Sequence, residues 1–482
     1  MSGNVMVWLG VGLHVALQLS FALRALLRPH REAAARMAWI LVILTTPALG
    51  MIAYVFFGET NIGRRRIERY RETLRHAQAR VDPALLTEPS DGSGVRHAHL
   101  FRMGRSINGL GAVGGNAVDV LSDTDAIFDR MVADIDAATR DVHLLFYIWL
   151  DDRNGTRLAE AAIRAARRGV AVRAMADDIG SRGFIASRTW RAMAAAGVRL
   201  ETALPVRPLF LHPIRGRVDL RNHRKMAVID TRIAWCGSVN CADAEFRVKA
   251  RFAPWVDTML RLEGPVAAQM QYVFVQDWMA HSDEDLTPLI SDLDLEDAGQ
   301  GAIAQVIATG PTVRPTAMPE VFEALIHASR RRLVITTPYF VPSDGIQSAL
   351  CSAPRRGVDT TLILPRRNDS WIVSAASRSY YPALVEAGVK IHEYPHGLLH
   401  AKTLTLDGEV ALVGSANLDR RSFELNYENN VLIEDAGVTA EIVRHQEAFA
   451  AASGRVEAAE VASWPRRRRV WHNAVAMMGP IL

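Results

Sequence analysis

The sequence predicts an α/β protein made of two tandem domains with mixed, mostly parallel sheets, preceded by a transmembrane α-hairpin. Three observations lead to this fold class. Two long apolar runs open the chain, a pattern of helices and strands then occurs twice, and 482 residues exceed what one ordinary core holds. Hydrophobic residues make up 49% of the chain and charged residues 22%, which is typical of a globular protein with additional apolar material.

Residues 1–60 are predicted to form the membrane hairpin. Val5–Leu23 runs 19 residues and Met37–Gly58 runs 22 without Asp, Glu, Lys or Arg. At about 1.5 Å per residue, a helix of either length crosses a hydrocarbon core of about 30 Å. Four arginines lie between the runs and six follow the second, which favours a cytoplasmic location for the remaining chain. A cleaved signal peptide is disfavoured because the first residues carry no positive charge, and a pair of buried core helices is the other alternative.

Residues 61–115 are predicted to be a linker because this stretch is rich in Arg, Gly and Ser. Beyond it, an amphipathic helix, an apolar strand, a helix ending in Arg-Arg-Gly-Val and a further strand occur twice. The apolar strands are His143–Trp149 and Leu333–Phe340. Strands that alternate with helices predict parallel α/β units, so we expect one domain at 116–285 and a second at 286–482.

One motif occurs in both copies with the same spacing at six positions. It reads His-x-Lys-x4-Asp-x6-Gly-Ser-x-Asn, and its two histidines are 400 − 223 = 177 residues apart. A lone His-x-Lys has no diagnostic value, but six matched positions at equivalent places in an internal duplication predict one shared site. The members are His223, Lys225, Asp230, Gly237, Ser238 and Asn240 in the first copy, and His400, Lys402, Asp407, Gly414, Ser415 and Asn417 in the second.

The lysines of the motif stand out against the composition. Only 4 of the 56 basic residues are lysine, so 56 − 4 = 52 are arginine, yet two of the four lysines occupy the motif. Lysine differs from arginine in carrying a compact ammonium instead of a planar guanidinium. Its retention at both positions indicates that the site requires the compact charge.

The motif predicts chemistry at a phosphorus atom without a metal. His and Lys two residues apart on a strand point to the same face, so each copy supplies an imidazole and an ammonium to one half-site. With two half-sites around one phosphate, one neutral imidazole attacks phosphorus, and the other protonates the leaving alkoxide and then deprotonates the incoming alcohol. The lysines and asparagines would stabilise the charged oxygens.

Two pairs of motif residues have a second interpretation. Asp230 and Asp407 precede turns, so they either belong to the catalytic site or cap those turns. Ser238 and Ser415 either contact the substrate or hold their loops. Three cysteines without metal-ligand spacing give no support for a disulfide framework or a zinc site, and no cofactor is predicted. The net charge of +4 gives little support for a protein that coats nucleic acid.

The duplicated motif resembles the HKD signature of the phospholipase D superfamily, and the resemblance covers most of the chain after the linker. Further features are similar to the bacterial cardiolipin synthases: the apolar hairpin, the segment Asn222–Asp230, the segment Asn417–Phe423 with Leu425–Glu428, and the closing Pro480–Leu482. The resemblance implies two tandem phospholipase D-like domains. It also implies a transesterification in which two phosphatidylglycerol molecules give cardiolipin and glycerol.

The same resemblance implies roles and surroundings. His223 would be the nucleophile and His400 the acid and base, and a downstream acidic residue would orient each imidazole. Glu428 fits that place 428 − 400 = 28 residues after His400, whereas position 251 is Arg and Asp257 is the nearest candidate in the first half. Phosphatidylglycerol and anionic membrane lipids would be the partners, in a multi-pass protein of the bacterial inner membrane without cofactor or nucleic acid.

Other functions remain open at this point. A hydrolytic phospholipase D needs only water as the acceptor, and a phosphatidyltransferase would use another alcohol such as serine or ethanolamine. A nuclease is disfavoured because its phosphate lies in water, and a silent phospholipid sensor is disfavoured by two intact motifs. Arg466–Arg469, between Trp464 and Trp471, suit either an anionic bilayer surface or a solvated tail. The basic-aromatic insertion between Leu200 and His223 is either a surface loop or part of a lipid entrance.

Overall fold

The computed structural model describes residues 2–28, 33–58, 63–86, 95–206, 217, 219–291, 293, 301–314 and 316–477. Most of the insertion before His223 (residues 207–216) and the closing Pro480–Leu482 lie outside the described residues. A sheet of 16 strands forms the centre of the described chain, and two further sheets have two strands each.

The helices and strands follow each other in the alternation that the repeat predicts. The α-helices are α1 (Ser2–Leu27), α2 (Ala33–Thr45), α3 (Pro47–Ala53), α4 (Arg64–Gln78), α5 (Ala98–Asn108), α6 (Thr124–Asp136), α7 (Arg153–Arg167), α8 (Arg182–Ile185), α9 (Arg188–Ala195), α10 (Pro265–His281), α11 (Ala317–Ala328), α12 (Asp344–Arg355), α13 (Trp371–Ala387), α14 (Arg420–Glu424), α15 (Ala436–Ala451), α16 (Ala458–Ala462) and α17 (Arg466–Ala476). A π-helix covers Tyr54–Gly58, and 3-10 helices cover Pro83–Leu86, Arg247–Phe252 and Thr287–Leu289.

The strands divide into ten before residue 310 and ten after it. They are β1 (Val113–Leu121), β2 (Asp141–Phe146), β3 (Ala171–Asp177), β4 (Arg199–Ala203), β5 (Arg221–Asn222), β6 (Lys225–Ile229), β7 (Ile233–Gly237), β8 (Trp255–Val256), β9 (Met259–Glu263), β10 (Ala302–Thr309), β11 (Arg332–Thr336), β12 (Phe340–Val341), β13 (Asp359–Pro365), β14 (Lys390–Tyr394), β15 (Leu398–Leu399), β16 (Thr403–Leu406), β17 (Val410–Gly414), β18 (Leu418–Asp419), β19 (Asn426–Glu434) and β20 (Gly454–Arg455).

The N-terminal region differs from the predicted pair of continuous spans. Among the described residues, one helix, Asn4–Leu27, is long and apolar enough to cross a membrane. The second predicted span is divided, because α2 ends at Thr45 and α3 begins at Pro47. Proline has no backbone N–H and its ring crowds the preceding turn, which accounts for the break. The second segment nevertheless packs back on the first, where the side-chain amide of Gln18 donates to the carbonyl of Ile43 at 2.9 Å.

The stretch 61–115 is more ordered than the predicted linker. Helix α4 and helix α5 lie within it, and strand β1 begins there at Val113. Ala77, Leu85 and Leu110 are fully buried in the main core. The arginines that suggested a linker are therefore part of amphipathic helices whose apolar faces pack on the globular region.

The two halves of the chain share one sheet and are related by a pseudo-twofold arrangement. Its strand order is β20-β14-β13-β11-β16-β17-β19-β10-β1-β9-β7-β6-β2-β3-β4, so equivalent strands lie at equal distances from the β10–β1 junction. The expected parallel pairing is present in each half, in β2–β3–β4 and in β11–β13–β14. The strands between these two sets pair in antiparallel fashion, from β2–β6 across the centre to β16–β11. The prediction of mostly parallel pairing therefore holds only for the outer strands, because each motif strand turns back on the next as a hairpin.

Alternating side chains bury both faces of the sheet in the first half. Val142 and Leu144 of β2 pack with helices α6 and α7, whereas Leu145 on the other face packs with helix α10. This period of two is what a strand covered on both sides requires. Side-chain caps define the helix starts: the Asp123 carboxylate accepts from Ala126 N–H, and the Asp152 carboxylate accepts from Gly155 N–H. The resulting frame fixes the ends of β6 and β16, where the motif histidines lie.

Candidate active site

Each motif histidine is positioned by backbone from the opposite half of the chain. Strand β5 pairs with β19, and the His223 N–H donates to the carbonyl of Tyr427 at 2.9 Å. Strand β15 pairs with β8, and the His400 N–H donates to the carbonyl of Val256 at 2.7 Å. The chain segments that bear the histidines are therefore held against the segments that bear Glu428 and Asp257.

The carboxylate partners of the imidazoles are crossed between the halves. His223 Nδ1 lies 2.9 Å from Glu428 Oε2, and His400 Nδ1 lies 2.6 Å from Asp257 Oδ1. All four side chains are buried. Sequence spacing had associated Glu428 with His400 and Asp257 with the first half, so that pairing is wrong. Because strands β5 and β15 each pair with the other half, the nearest carboxylate to each imidazole comes from that half.

Asp257 and Glu428 occupy the same place in the two halves despite their different spacing in the sequence. Gly237 faces Met259 across the β7–β9 ladder, and Gly414 faces Asn430 across β17–β19. Each carboxylate thus lies two residues before the partner of the motif glycine. The first copy has 257 − 223 = 34 residues from histidine to carboxylate and the second has 428 − 400 = 28, which explains why position 251 holds an unrelated arginine.

The motif serines hold the carboxylates. Ser238 Oγ donates to Asp257 Oδ1 at 2.6 Å and accepts from the Thr258 N–H. Ser415 Oγ donates to Glu428 Oε2 at 2.5 Å and accepts from the Asn429 N–H. Both hydroxyls are buried behind the carboxylates, which supports the alternative that these serines hold their loops.

Both histidines line one cavity of about 290 Å³. A carboxylate can only accept a hydrogen bond, so Nδ1 of each imidazole carries the proton and Nε2 carries the lone pair. Asn240 and Asn417 line the same cavity, and their amide oxygens have no hydrogen-bond partner among the described residues. The cavity therefore presents two basic nitrogens and two amides to whatever it binds.

Burial sets the protonation of the imidazoles. Burial lowers the pKa of His223 to about 4 against the opposing effect of Glu428, and it lowers the pKa of His400 to about 4, aided by the charge of Lys402. Burial alone would raise the pKa of Asp257 and Glu428, but the paired imidazoles and the hydrogen bonds keep both pKa values below their usual range. Both imidazoles are therefore neutral, beside ionised carboxylates, near neutral pH.

The motif lysines lie fully inside the protein. Lys225 Nζ donates to the carbonyl of His223 at 2.6 Å, and Lys402 Nζ donates to the carbonyl of His400 at 2.7 Å. Burial lowers the pKa of Lys225 to about 8 and that of Lys402 to about 7. Each ammonium also lowers the pKa of the histidine in the opposite half, so the two half-sites form one electrostatic unit.

Asp230 and Asp407 do not belong to the site. The Asp230 carboxylate accepts from the N–H groups of Thr139, Arg140 and Asp141 at 2.7–3.0 Å. The Asp407 carboxylate accepts from three successive N–H groups, those of residues 330–332, at 2.7–2.9 Å. Each aspartate lies five residues beyond its motif lysine, about 16 Å along the strand. The turn-cap alternative is therefore correct, and the prediction of a catalytic role is wrong for both residues.

Several residues of the cavity were not singled out from the sequence. The Tyr147 ring lies 4.8 Å from the His223 ring, and the Trp255 ring lies 4.4 Å from the His400 ring, measured between centroids. Asp369 and Asp419 also line the cavity, and burial raises the pKa of Asp419 to about 6. Aromatic residues at the ends of apolar strands were the available signal for Tyr147, whereas nothing in the motif spacing indicated the two aspartates.

Comparisons with known proteins agree with this geometry. A family model described as cardiolipin synthase, phospholipase D-like domain, matches residues 131–278 and 322–449, more than half of the chain. Cardiolipin synthase A of Edwardsiella ictaluri (strain 93-146) is 37% identical over 487 residues, covering 99% of each chain. Cardiolipin synthase A of Klebsiella pneumoniae (strain 342) is 35% identical over 485 residues, covering 99% of this chain and 98% of that one.

The chain belongs to the cardiolipin synthase family. The first matched segment contains His223 and Asp257, and the second contains His400 and Glu428, so each crossed pair joins one cardiolipin synthase segment to the other. A model described as phospholipase D-nuclease N-terminal matches residues 16–59, in the apolar region. The family and the apolar helix α1 together indicate a membrane protein.

A solved structure extends the likeness of the cardiolipin synthase fold. Phosphatidylserine synthase from Haemophilus influenzae Rd KW20 superposes with a TM-score of 0.59, over 80% of this chain and 100% of that chain, at 14% identity. At this identity the similarity concerns the fold alone. Within the described part of the chain, no three His, Cys, Asp or Glu side chains are grouped as ligands of a metal ion would be.

Proposed function

We propose that this enzyme condenses two phosphatidylglycerol molecules to cardiolipin and glycerol through a phosphatidyl-histidine intermediate. The observation that carries the proposal is a pair of neutral imidazoles on one cavity, each bound at Nδ1 by a buried carboxylate. This arrangement leaves two Nε2 atoms available for a reacting phosphodiester. The family supplies the substrate class, and the residues supply the chemistry.

In the first step, His223 Nε2 attacks the phosphorus of the donor lipid. A P–N bond forms, the P–O bond to the headgroup glycerol breaks, and the His400 imidazolium gives its Nε2 proton to the departing oxygen. The bound phosphodiester anion favours the imidazolium form of His400, which the free site disfavours. Asp257 stabilises that charge, and Glu428 stabilises the charge that develops on His223.

In the second step, a glycerol hydroxyl of the acceptor phosphatidylglycerol replaces the departed glycerol. His400 Nε2 takes the hydroxyl proton, the oxygen bonds to phosphorus, and the P–N bond to His223 breaks. Lys225 and Lys402, with Asn240 and Asn417, supply positive charge and amide hydrogens to the non-bridging oxygens. The imidazolium of His400 is regenerated, so the cycle is balanced in protons.

Membrane anchoring by the N-terminal region fits this substrate. We assign the divided segment after α1 to the membrane as well, since residues 37–58 are apolar throughout and contact α1 through Gln18. The catalytic region would then face the cytoplasm from a bacterial inner membrane, with phosphatidylglycerol and other anionic lipids as its partners. A reporter fused after Leu27 and after Gly58 tests this topology, and the same reading at both sites would contradict two crossings.

Product analysis tests the function. The full-length protein is incubated in detergent micelles with phosphatidylglycerol alone, in the presence of a chelator, and the products are identified. Cardiolipin with an equal amount of glycerol is expected. Phosphatidic acid alone would indicate a hydrolytic phospholipase D, and no reaction until serine or ethanolamine is added would indicate another phosphatidyltransferase.

A trapping experiment tests the nucleophile. Acid-labile label from phosphatidyl-labelled lipid is expected on the wild type and absent from His223→Ala. Adduct that persists on His223→Ala but disappears from His400→Ala would exchange the two roles. Asp230→Asn is the matched control, since it changes a motif residue that lies far from the cavity.

A further inference from the structure

A second concave surface adjoins the catalytic cavity. It has a volume of about 620 Å³ and lies between the 3-10 segment Arg247–Phe252, the start of α13 and the C-terminal helix α17. We call it the arginine groove. Its guanidinium groups come from Arg251, Arg366, Arg367, Arg378 and Arg468.

The charges of the arginine groove are only partly compensated. Arg378 pairs with Glu393 at 3.1 Å, and the groove residue Asp369 pairs with Lys249 at 2.5 Å. The other four arginines have no ion pair with a carboxylate anywhere in the described ranges. Arg366 and Arg367 are exposed to solvent. Four uncompensated guanidiniums around one concave surface favour a multivalent or phosphate-type anion.

Two exposed tryptophans mark the rim of the arginine groove. The Trp371 and Trp471 rings stack at 5.9 Å between centroids, with exposed fractions of 62% and 52%. Amphipathic rings of this kind favour the headgroup region of a bilayer. Trp464, the other predicted aromatic anchor, is buried against Tyr381 and Arg468 and therefore cannot serve in this way.

The arginine groove and the catalytic cavity share their border. Val248 and Lys249 face the cavity while Arg251 and Phe252 of the same segment face the groove, and Asp369 lines both. In cardiolipin a three-carbon glycerol bridge separates two phosphodiesters. When one phosphorus is bonded to His223, the other phosphate of the forming product must lie close outside the cavity.

We infer that the arginine groove binds the phosphodiester of the acceptor phospholipid while its glycerol hydroxyl enters the cavity. This inference rests on the proposed function and assigns it a second substrate site. The groove would not contact the donor phosphate, which lies at the histidines. An acceptor without a phosphate therefore gains nothing from the groove.

Competition between two acceptors tests the inference in a single tube. The full chain is supplied with phosphatidylglycerol and labelled glycerol in mixed micelles, where the phosphatidyl group passes either to phosphatidylglycerol, giving cardiolipin, or to glycerol, giving labelled phosphatidylglycerol. Arg366→Gln and Arg367→Gln are each expected to lower the ratio of cardiolipin to labelled phosphatidylglycerol by roughly ten-fold, the usual effect of one charge-assisted hydrogen bond. Arg444→Gln, an exposed arginine outside both concave surfaces, should leave the ratio unchanged.

The outcomes separate the possible roles of the arginine groove. If both products fall together in the variants, or if neither changes, the groove is not an acceptor site and the inference is overturned. A wild type that forms neither product contradicts the proposed function itself. Replacing glycerol by glycerol 3-phosphate gives a second readout: the wild type should prefer the phosphorylated acceptor, and the variants should lose that preference. A preference that survives in the variants would overturn the inference, because another surface would then bind the phosphate.

Discussion

The two half-sites have the same design but different details. In both, a histidine bonds to a carboxylate of the opposite half, a serine holds that carboxylate, and a lysine donates to the histidine carbonyl. The first histidine uses Glu428 and lies against Tyr147, whereas the second uses Asp257 and lies against Trp255. Glu428 accepts a further bond from the Asn426 amide at 3.2 Å. The crossing means that neither half is complete alone, and the details give the two imidazoles different surroundings.

The largest expected effect comes from removing the charge of either crossed carboxylate. Glu428→Gln and Asp257→Asn should each lower cardiolipin formation by roughly 10²- to 10⁴-fold, because the imidazolium formed in each step loses its stabilising partner. Initial rates in detergent measure the loss. In the protein labelled with ¹⁵N-histidine, Glu428→Gln should shift the ring resonances of His223 and leave those of His400 in place. The reverse response would mean that the carboxylates act within their own halves.

The lysines test whether the two half-sites share one requirement for a compact charge. Lys225→Arg and Lys402→Arg should each lower the rate by roughly 10²-fold, because a guanidinium cannot replace a fully buried ammonium that donates to a backbone carbonyl. Lys390→Arg is the matched control, since Lys390 is exposed and pairs with Asp359. Equal activity in all three variants would show that only the positive charge matters.

Proton uptake on anion binding tests the difference between the two imidazoles. Both have a pKa lowered to about 4, so both are neutral at pH 7, while the proposed first step requires one imidazolium beside the bound anion. Tungstate binding should therefore take up about one proton, and its dissociation constant should rise about ten-fold per pH unit between pH 6 and pH 8. Calorimetry in buffers of different ionisation enthalpy measures the uptake. His400→Ala should abolish it and His223→Ala should keep it; the opposite pattern would exchange the acid and the nucleophile.

The sequence was sufficient for features that depend on local order. Alternating apolar strands, the duplicated helix endings and the spacing from His223 to Lys225 depend on residues close together in the chain, and the structure has them where they were expected. The crossed pairing of Glu428 and Asp257 depends on strands β5 and β15 crossing to the other half, which no local spacing records. The antiparallel centre of the sheet was missed for the same reason, because helix-strand alternation determines only the outer parallel units.

The motif aspartates give the smallest expected effect on rate and show most directly how a repeated motif can mislead. Asp230 and Asp407 have backbone φ angles of +53° and +56° and bind three N–H groups each, so they connect the motif hairpin to the preceding helix-strand turn. Asn tolerates this backbone conformation but has no charge. Asp230→Asn and Asp407→Asn should therefore keep the rate within about two-fold and lower the free energy of unfolding by about 1–2 kcal/mol each, which thermal melts in detergent measure as a fall of a few degrees. A hundred-fold loss of rate with an unchanged melting temperature would return these aspartates to the chemistry. The expected result would show that the motif repeats two functions, since its histidine and lysine serve the reaction and its aspartate, at the far end of the same strand, serves the fold.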